Sequence, residues 1–228
     1  MGLLDVVYRD EWMIAVNKPS GLLVHRSRKS ADHVFALQLV RDQVGQFVHP
    51  IHRLDRATSG VLLFGMDPDT TRALCGQFVD RAAAKRYLAV VRGYTDAEGA
   101  IDHPLREDVE HDLQPAVTTY RRLATAEWPG PVAGFDAGRY SYLELRPQTG
   151  RMHQLRRHCS HISHPIIGDT TYGDSRHNRF FREQFQCYRL LLHAAELCLV
   201  HPHTGAPLVL RAPVPADMAE VLGVLRFV

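Results

Sequence analysis

The sequence predicts a mostly antiparallel α+β fold, and two observations support that class. Short segments whose side chains alternate between apolar and polar, which are typical of strands, recur along the 228 residues, whereas segments with helical spacing are few. The strands and helices also lack the regular alternation that a parallel sheet built from strand–helix–strand units requires.

Strands are predicted where side chains alternate or where a short apolar run lies between turn residues. The segment 85–92 is the clearest case, because its apolar side chains fall on two faces and Gly93 ends it. The Pro- and Gly-rich segment 96–136 is predicted to hold a pair of strands with long loops. The other predicted strands are Val6–Tyr8, Met13–Asn17, Gly60–Met66, Tyr140–Arg146, Ala194–Val200 and Pro207–Ala212, of which the last two form a hairpin.

Helices are predicted from apolar residues at helical spacing, combined with start and stop signals. Gly45 stands where the C-terminal cap of the first helix belongs, and Asp67 followed by Pro68 starts the second. In the third helix, Arg156 and Arg157 are predicted to lie on the polar face. The predicted helices are Asp32–Val44, Asp67 to about Arg81, His153–Ile162 and a C-terminal helix through Met218, Val221, Leu222 and Leu225.

Charge is unevenly distributed in a chain whose net charge is only +2. The segment Asp96–Asp136 holds nine acidic residues against three arginines, whereas Arg139–His193 holds nine arginines against four acidic residues, with six histidines. A basic region in a nearly neutral protein indicates a surface that faces a polyanion. By charge alone, an ordinary solvated face explains the pattern equally well.

The composition excludes several classes of protein. The N-terminus carries acidic residues and no basic lead before an apolar core, so no signal peptide is expected. No apolar run approaches the roughly 20 residues that span a bilayer. The chain is therefore expected to be soluble and cytoplasmic. Phosphate-binding glycine loops and the serine-hydrolase motif G-x-S-x-G do not occur, so the sequence does not support nucleotide cofactors or serine hydrolysis.

Neither the cysteines nor the histidines show the spacing of a metal site. The four cysteines are far apart and are predicted to be reduced thiols at core or half-core positions. Among fourteen histidines, the tightest grouping follows no known ligand pattern, and no metal is expected. The cysteines are Cys75, Cys159, Cys187 and Cys198, and the grouped histidines are His153, His158, His161 and His164.

The stretch HRLDRATSG, His52 to Gly60, carries the strongest chemical signal. One histidine and two arginines, Arg53 and Arg56, surround a single carboxylate, Asp55. Fixed positive charges at this distance favour the ionised carboxylate, which can act as a nucleophile or stabilise a charge but is a poor general acid. From spacing alone, a surface ion-pair turn before a strand is the more common explanation.

Two other segments could contribute to the same site. Tyr87 enters a strand directly after Lys85 and Arg86, although an ordinary strand aromatic is the more common explanation. In TGRMHQLRRH, Thr149 to His158, Arg156 is a candidate partner for Asp55, because guanidinium is always charged and pairs bidentately with carboxylate. A solvated helix face is the alternative, and spacing alone does not bring the segments together.

Taken in order, these motifs resemble those of the RluA-type pseudouridine synthases. HRLDRATSG resembles the catalytic motif of that family, and six further blocks follow the family's order between about residue 5 and residue 213. They are NKPSGLLVH (Asn17–His25), KRYLAVVRG (Lys85–Gly93), TGRMHQLRRH (Thr149–His158), HPIIGDTTYG (His164–Gly173), RLLLHA (Arg189–Ala194) and HPHTGAPLVLRAP (His201–Pro213). The resemblance implies a pseudouridine synthase fold, with a mixed, mostly antiparallel central sheet and flanking helices and loops.

The resemblance also implies roles for individual residues. Asp55 is the essential nucleophile or its equivalent, and Arg156 is the arginine that pairs with it. Tyr87 matches the tyrosine that stacks on the target base and is a candidate for moving the 2′ proton. Leu155 contributes to the apolar wall of the pocket. Arg53 fills the gap that the flipped base leaves in the RNA.

The remaining implications concern domains and partners. The whole chain, 1–228, is expected to be a single catalytic domain without an appended S4-type RNA-binding domain, and no cofactor, metal or obligatory protein partner is expected. Arg151, His153 and Arg157 are expected to contact RNA. The short chain resembles the subgroup that acts at position 65 of tRNA, although ribosomal RNA and other tRNA positions are alternatives. Two different classes of function compete, a non-catalytic RNA chaperone and a metal-dependent hydrolase built on the histidines.

Overall fold

The computed structural model describes residues 2–26, 33–107 and 112–227. These residues form ten strands and five helices. The strands are β1 (Asp5–Arg9), β2 (Met13–Lys18), β3 (His49–Pro50), β4 (Ser59–Gly65), β5 (Ala84–Arg92), β6 (Glu98–Asp102), β7 (Val117–Val132), β8 (Phe135–Pro147), β9 (Leu192–Val200) and β10 (Pro207–Arg211). The helices are α1 (Ala36–Val44), α2 (Pro68–Val79), α3 (Gln154–His161), α4 (Ser175–Phe185) and α5 (Ala216–Leu225).

The predicted α+β class is confirmed, because the strands β1–β2, β2–β4, β5–β8, β6–β7, β7–β8 and β9–β10 all pair antiparallel. The chain divides into two compact units. Unit 1 comprises Met1–Lys85 and Ala194–Pro213, and unit 2 comprises Arg86–His193 and Val214–Val228. That the 228 residues form a single catalytic domain stays a prediction. Among the described residues, no helix is long and apolar enough to cross a membrane.

Unit 1 is built on the strand order β1–β2–β4–β9–β10, and β3 also pairs with β4. Every residue of β4 is buried, as the apolar run Val61–Phe64 predicts. Its inner side chains join those of β2, α2, β9 and β10 in one apolar core. Gly60 is required in β4, because its φ is +119° and a Cβ there would lie 2.1 Å from the carbonyl oxygen of Ala194.

Unit 2 is built on the strand order β5–β8–β7–β6. Its main feature is a long hairpin, the 16-residue β7 paired with the 13-residue β8. Two irregularities interrupt the register of this pair, between Arg122 and Ala124 and between Pro129 and Val132. The predicted pair of strands within 96–136 is confirmed as β6 and β7, which pair antiparallel, although β7 is longer than the sequence pattern indicates. The separately predicted strand Tyr140–Arg146 is confirmed within β8.

Most predicted boundaries lie within a few residues of the observed ones. Asp32, where the first helix was expected to start, lies outside the described residues, and α1 begins at Ala36. Its predicted end is confirmed, since Gly45 is left-handed at φ 74° and its N–H bonds to the carbonyl of Arg41. The predicted start of α2 is also confirmed, because the Asp67 carboxylate accepts a hydrogen bond from the N–H of Thr70.

The sequence pattern does not predict α4. Its buried face consists of His177, Asn178 and Phe181, so two of the three positions facing inward are polar and the apolar periodicity is lost. Packing and capping hold it instead. The ring of Phe181 lies 4.9 Å from that of Tyr140, and the Asp174 carboxylate caps the first turn by accepting from Arg176 N–H.

Acid should weaken this fold through three histidines, of which His158 and His177 are buried and His52 is half-buried. Burial lowers the pKa of His52 to about 4, with a further contribution from the charge of Lys85, and burial also lowers the pKa of His158 and of His177. Between about pH 6.5 and pH 4 the unfolded chain therefore binds protons that the native chain excludes. The free energy of unfolding should fall with pH in that window, by up to about 1.4 kcal/mol per pH unit for each such histidine.

Urea unfolding at several pH values between 4.5 and 8 tests this expectation. His177→Gln should reduce the slope of stability against pH below about pH 6.5, whereas His33→Gln, at an exposed position, should leave the slope unchanged. An equal slope in wild type and His177→Gln would contradict a contribution from His177.

Candidate active site

A buried lysine fixes the loop that carries Asp55. Lys18, the last residue of β2, is completely buried. Its Nζ donates to the carbonyl oxygens of Leu22 at 2.7 Å, Pro19 at 2.9 Å and Arg56 at 3.1 Å. An ammonium has three N–H donors, so all three are matched by carbonyl groups. The lysine thereby ties the segment after β2 to the residue that follows Asp55.

Three further hydrogen bonds join the same two segments, and a fourth lies within the loop of Asp55. Gly21 N–H donates to the Arg56 carbonyl at 2.8 Å, and Arg56 Nε donates back to the Gly21 carbonyl at 3.0 Å. The hydroxyl of Ser20 donates to the Ala57 carbonyl at 2.7 Å. Within the loop, Thr58 N–H donates to the Asp55 carbonyl at 3.1 Å. The backbone around Asp55 is therefore held on both sides, although it belongs to no strand or helix.

Within this loop, Asp55 is half-buried and Arg53 is exposed. The sequence pattern groups His52 with the charged neighbours of Asp55, and the structure corrects this. His52 stacks on Phe78 with ring centroids 5.1 Å apart, and its Nε2 accepts a hydrogen bond from Leu63 N–H at 3.3 Å. Because burial first and the Lys85 charge second lower its pKa to about 4, His52 is neutral at physiological pH. It therefore packs the loop against α2 and adds no charge.

Tyr87 lies on β5, opposite Leu145 of β8, and is half-buried. The preceding Arg86 forms an ion pair with Glu144 at 3.8 Å. Glu144 is nearly buried and also pairs with Arg146 at 2.9 Å and Arg121 at 3.6 Å. The Glu144 carboxylate of β8 thus pairs with one arginine from each of β5, β7 and β8. These ion pairs fix β5 against the β7–β8 hairpin.

The start of α3 is held by one buried amide. The Oε1 of Gln154 accepts from the Thr149 hydroxyl at 2.7 Å and from Arg151 N–H at 3.0 Å. Its Nε2 donates to the Val117 carbonyl and the Thr118 hydroxyl, both at 3.0 Å. Gln154 therefore joins the loop before α3 to β7 and sets the position of the next two residues, Leu155 and Arg156.

Arg156 is buried, whereas the sequence pattern placed it on the polar face of its helix. The physical reason is a buried partner 13 residues away. Its Nε and Nη2 donate to the two carboxylate oxygens of Asp169 at 2.7 and 2.8 Å, and its guanidinium lies 5.2 Å from the ring centroid of Tyr172. Two charges that would be costly to bury separately are buried together.

Asp169 is the anchor of this arrangement. Burial raises the pKa of its carboxyl, but the hydrogen bonds from Arg156 and from the N–H groups of Tyr172 and Thr171 hold that pKa below its usual value. The carboxylate therefore stays ionised and keeps Arg156 in one orientation. The sequence-based prediction that Arg156 pairs with Asp55 stays a prediction.

The other predicted site residues of unit 2 lie around α3. Leu155 is buried, and Arg151, His153 and Arg157 are half-buried. His153 adopts a left-handed conformation with φ 54°, and its Nδ1 lies 3.1 Å from the Tyr172 hydroxyl. Arg151 Nε donates to the Pro115 carbonyl at 3.2 Å, and Arg157 Nη1 to the Arg106 carbonyl at 2.7 Å.

The structure therefore brings six of the eight predicted residues into unit 2 and two into unit 1. Sequence reasoning missed Lys18, Asp169 and Tyr172 as parts of the site, although all three lie within the quoted motifs. The one signal in the sequence that could have identified them is their position within those motifs. Spacing alone does not show that a charged side chain is buried. The predicted site residues in unit 1 are Arg53 and Asp55, and those in unit 2 are Tyr87, Arg151, His153, Leu155, Arg156 and Arg157.

The predicted thiols are confirmed: Cys159 and Cys187 are buried, Cys75 and Cys198 are half-buried, and none forms a disulfide. Across residues 2–26, 33–107 and 112–227, no group of three or more His, Cys, Asp or Glu side chains is arranged to hold a metal ion.

Replacing Lys18 by Met should destabilise unit 1. The substitution removes three hydrogen bonds: the Pro19 and Leu22 carbonyls lose the ammonium donor, and the Arg56 carbonyl keeps only the N–H of Gly21. An unsatisfied buried acceptor costs about 1–3 kcal/mol. We expect the free energy of unfolding to fall by about 3 kcal/mol or more in urea titrations. Ser20→Ala removes a single hydrogen bond from the same clamp and should cost only about 1 kcal/mol. Equal effects of the two changes would show that Lys18 does not hold the loop.

Comparison with known proteins gives the family. Residues 12–161 match the family model described as RNA pseudouridylate synthase. The tRNA pseudouridine synthase C of Vibrio cholerae is 47% identical over 221 residues, which cover 92% of this chain and 91% of that protein. The protein of the same name from Pectobacterium carotovorum is 52% identical over 223 residues, but the chain spans only 59% of its length.

A solved structure of a protein with the same family description has a similar fold. The human RNA pseudouridylate synthase domain containing 4 has a TM-score of 0.76 at 26% identity, with 98% of this chain and 94% of that chain covered. Since the family model covers well over half of the sequence and full-length relatives share nearly half of its residues, the chain belongs to the RNA pseudouridylate synthase family.

Proposed function

We propose that the protein converts a specific uridine of tRNA, at position 65, into pseudouridine. The observation that carries the proposal is the loop of Asp55, whose backbone is fixed by the buried ammonium of Lys18 within the stretch HRLDRATSG, which resembles the family's catalytic motif. The choice of tRNA rests on the relatives named tRNA pseudouridine synthase C.

The reaction is an internal exchange of bonds and needs no co-reactant. The bond between N1 of uracil and C1′ of ribose breaks, the base rotates, and a bond forms between C5 and C1′. The proton on C5 is lost and N1 gains one, so atoms and charge balance. In this proposal Asp55 either adds to C1′ or supports a route that begins with loss of the 2′ proton. An ionised carboxylate suits both routes.

The remaining predicted residues take positions that suit their proposed roles. Tyr87 stacks on the target base and is placed on a strand that the Glu144 ion pairs immobilise. As the resemblance implies, Arg156 is proposed to pair with Asp55, and Leu155 is proposed to form part of the apolar wall of the pocket. Arg53 is exposed, as a side chain must be to fill the gap in an RNA helix. Flipping a base costs a few kcal/mol, and stacking returns about 1–3 kcal/mol, so the gap-filling side chain matters.

Affinity for RNA should come from arginines whose charge is not already used. Five of the nine arginines between residues 139 and 193 form ion pairs with carboxylates of the protein, whereas Arg151 and Arg157 form none with the described residues. The paired arginines are Arg139 with Glu127, Arg146 with Glu144, Arg156 with Asp169, Arg176 with Asp174 and Arg189 with Asp217. Because the resemblance implies RNA contacts for Arg151 and Arg157, we place phosphate contacts at Arg157 of α3 and at Arg151 in the loop before it. Because bacterial tRNA is cytoplasmic, this substrate agrees with the expected location.

Asp55→Asn should abolish pseudouridine formation while RNA binding persists. The amide keeps the size of the carboxylate but loses its charge and nucleophilicity, so the rate should fall by at least about 1,000-fold. Release of tritium from C5 of labelled uridine in tRNA transcripts measures the rate, and filter binding measures affinity. Asp42→Asn, at an exposed residue paired with Arg41, is the matched control and should keep full activity. A variant Asp55→Asn with normal turnover would refute the proposal.

The RNA target can be tested separately. Pseudouridine mapping of total RNA from cells lacking the gene should show loss at one tRNA position, which the wild-type gene restores and Asp55→Asn does not. Loss of a ribosomal RNA site instead would contradict tRNA as the substrate. Restoration of every cellular defect by Asp55→Asn would indicate an RNA chaperone that uses no chemistry.

A further inference from the structure

Unit 2 carries a group of basic side chains that no proposed catalytic step uses. We call it the histidine–arginine cluster, and its members are His103, Arg106, Arg157, His158 and His161. The imidazole rings of His103 and His161 stack nearly parallel, with centroids 3.7 Å apart and planes inclined by 14°. His158 meets His103 edge-on at 6.5 Å. The cluster therefore joins the end of β6 to the C-terminal half of α3.

His158 and Arg157 are held by hydrogen bonds, while part of the cluster stays accessible. The buried ring of His158 is fixed at both nitrogens, by the Thr118 hydroxyl and the His103 carbonyl, each at 3.0 Å. Arg157 is anchored by one N–H on the Arg106 carbonyl at 2.7 Å, which leaves its other N–H groups for a ligand. His161 and Arg106 are exposed, and His103 is half-buried.

The charges within the cluster all have one sign. Besides burial, the groups that lower the pKa of His103 are His161 and Arg157, and those that lower the pKa of His158 through charge are His103, His161 and Arg157. The carboxylates nearest along the chain, Asp102 and Glu107, are exposed. Positive groups that disfavour one another's protonation create a site that an anion would stabilise.

We propose that the histidine–arginine cluster binds a phosphate of the RNA backbone, with Arg157 as the permanent cation and the stacked pair His103–His161 as a proton-accepting contact. This inference rests on the proposed function, since it names where the substrate RNA meets the protein. Arg157 directly follows Arg156 on α3, so the proposed phosphate site is adjacent in sequence to the arginine proposed to act in catalysis. Guanidinium is the side chain that best matches phosphate oxygens.

The stacked pair makes the contact sensitive to pH. Two imidazoles 3.7 Å apart cannot both carry a proton without strong repulsion unless an anion lies beside them. A bound phosphate supplies that anion and raises the pKa of His103, which burial and the charges of His161 and Arg157 lower in the absence of RNA. RNA binding therefore takes up a proton near neutral pH, and affinity increases as pH falls from 8 to 6.

Binding of an unmodified tRNA transcript to Asp55→Asn protein, which cannot turn it over, tests the inference. Dissociation constants are measured at pH 6, 7 and 8 and at several salt concentrations. The parent should bind several-fold more tightly at pH 6 than at pH 8. Adding His161→Gln should remove most of this difference, so the dissociation constant of the double variant should equal that of the parent at pH 8. Adding Arg157→Gln should weaken binding at every pH, with the salt slope reduced by about 0.7–0.9, the contribution of one phosphate.

Two matched controls are available in unit 1. His33→Gln and Arg41→Gln alter exposed side chains outside the cluster and should change neither the pH dependence nor the salt slope. Unaltered pH dependence in His161→Gln, or unaltered affinity and salt slope in Arg157→Gln, would overturn the inference. A wild-type protein that forms no pseudouridine in any RNA refutes the proposed function instead, so the two failures are distinguishable.

Discussion

The buried ammonium of Lys18 is the constraint on which the rest of unit 1 depends. Lys18 ends β2, and in the antiparallel pair it lies opposite Gly60 of β4. The intervening chain must therefore return to this point, and the three carbonyls that the ammonium binds determine its path. Gly60 is fixed in turn by the Ala194 carbonyl, which leaves no room for a Cβ. Asp55 lies between these two fixed points and is placed without any secondary structure of its own.

Unit 2 uses a buried charge in a different way. Arg156 and Asp169 bury a complete ion pair, so the cost of desolvation is offset by two short hydrogen bonds and by the ring of Tyr172. Such pairs add little to stability compared with apolar residues of the same size, but they hold a side chain in one orientation. Within unit 2, the guanidinium of Arg156 is therefore held in a single orientation by its partners.

Sequence reasoning succeeded where a signal is local. The cap at Asp67, the stop at Gly45 and the alternation in 85–92 are determined by neighbours along the chain, and all three are confirmed. It failed where the partner is distant. The polar residues of α4 are buried because Gly168 N–H and the Asp169 carbonyl bind Asn178, and no periodicity records such contacts. The prediction that Arg156 lies on the polar face of its helix is wrong for the same reason, because its partner Asp169 lies in another segment. The family motifs indicated which residues matter, whereas only the fold shows what each one contacts.

The distribution of ion pairs shows which arginines of the basic segment are already paired within the protein. A basic segment is expected to bind RNA over its whole length, but most arginines here are neutralised by carboxylates within the protein, and these hold strands and helices together. The arginines around α3 instead bind backbone carbonyls, which fix the side chain without cancelling its charge. A carbonyl-anchored guanidinium is both oriented and available to phosphate. Arg151 and Arg157 are therefore the arginines that we propose to contact RNA; Arg157 lies on α3, the helix that also carries Arg156, and Arg151 lies in the loop before it.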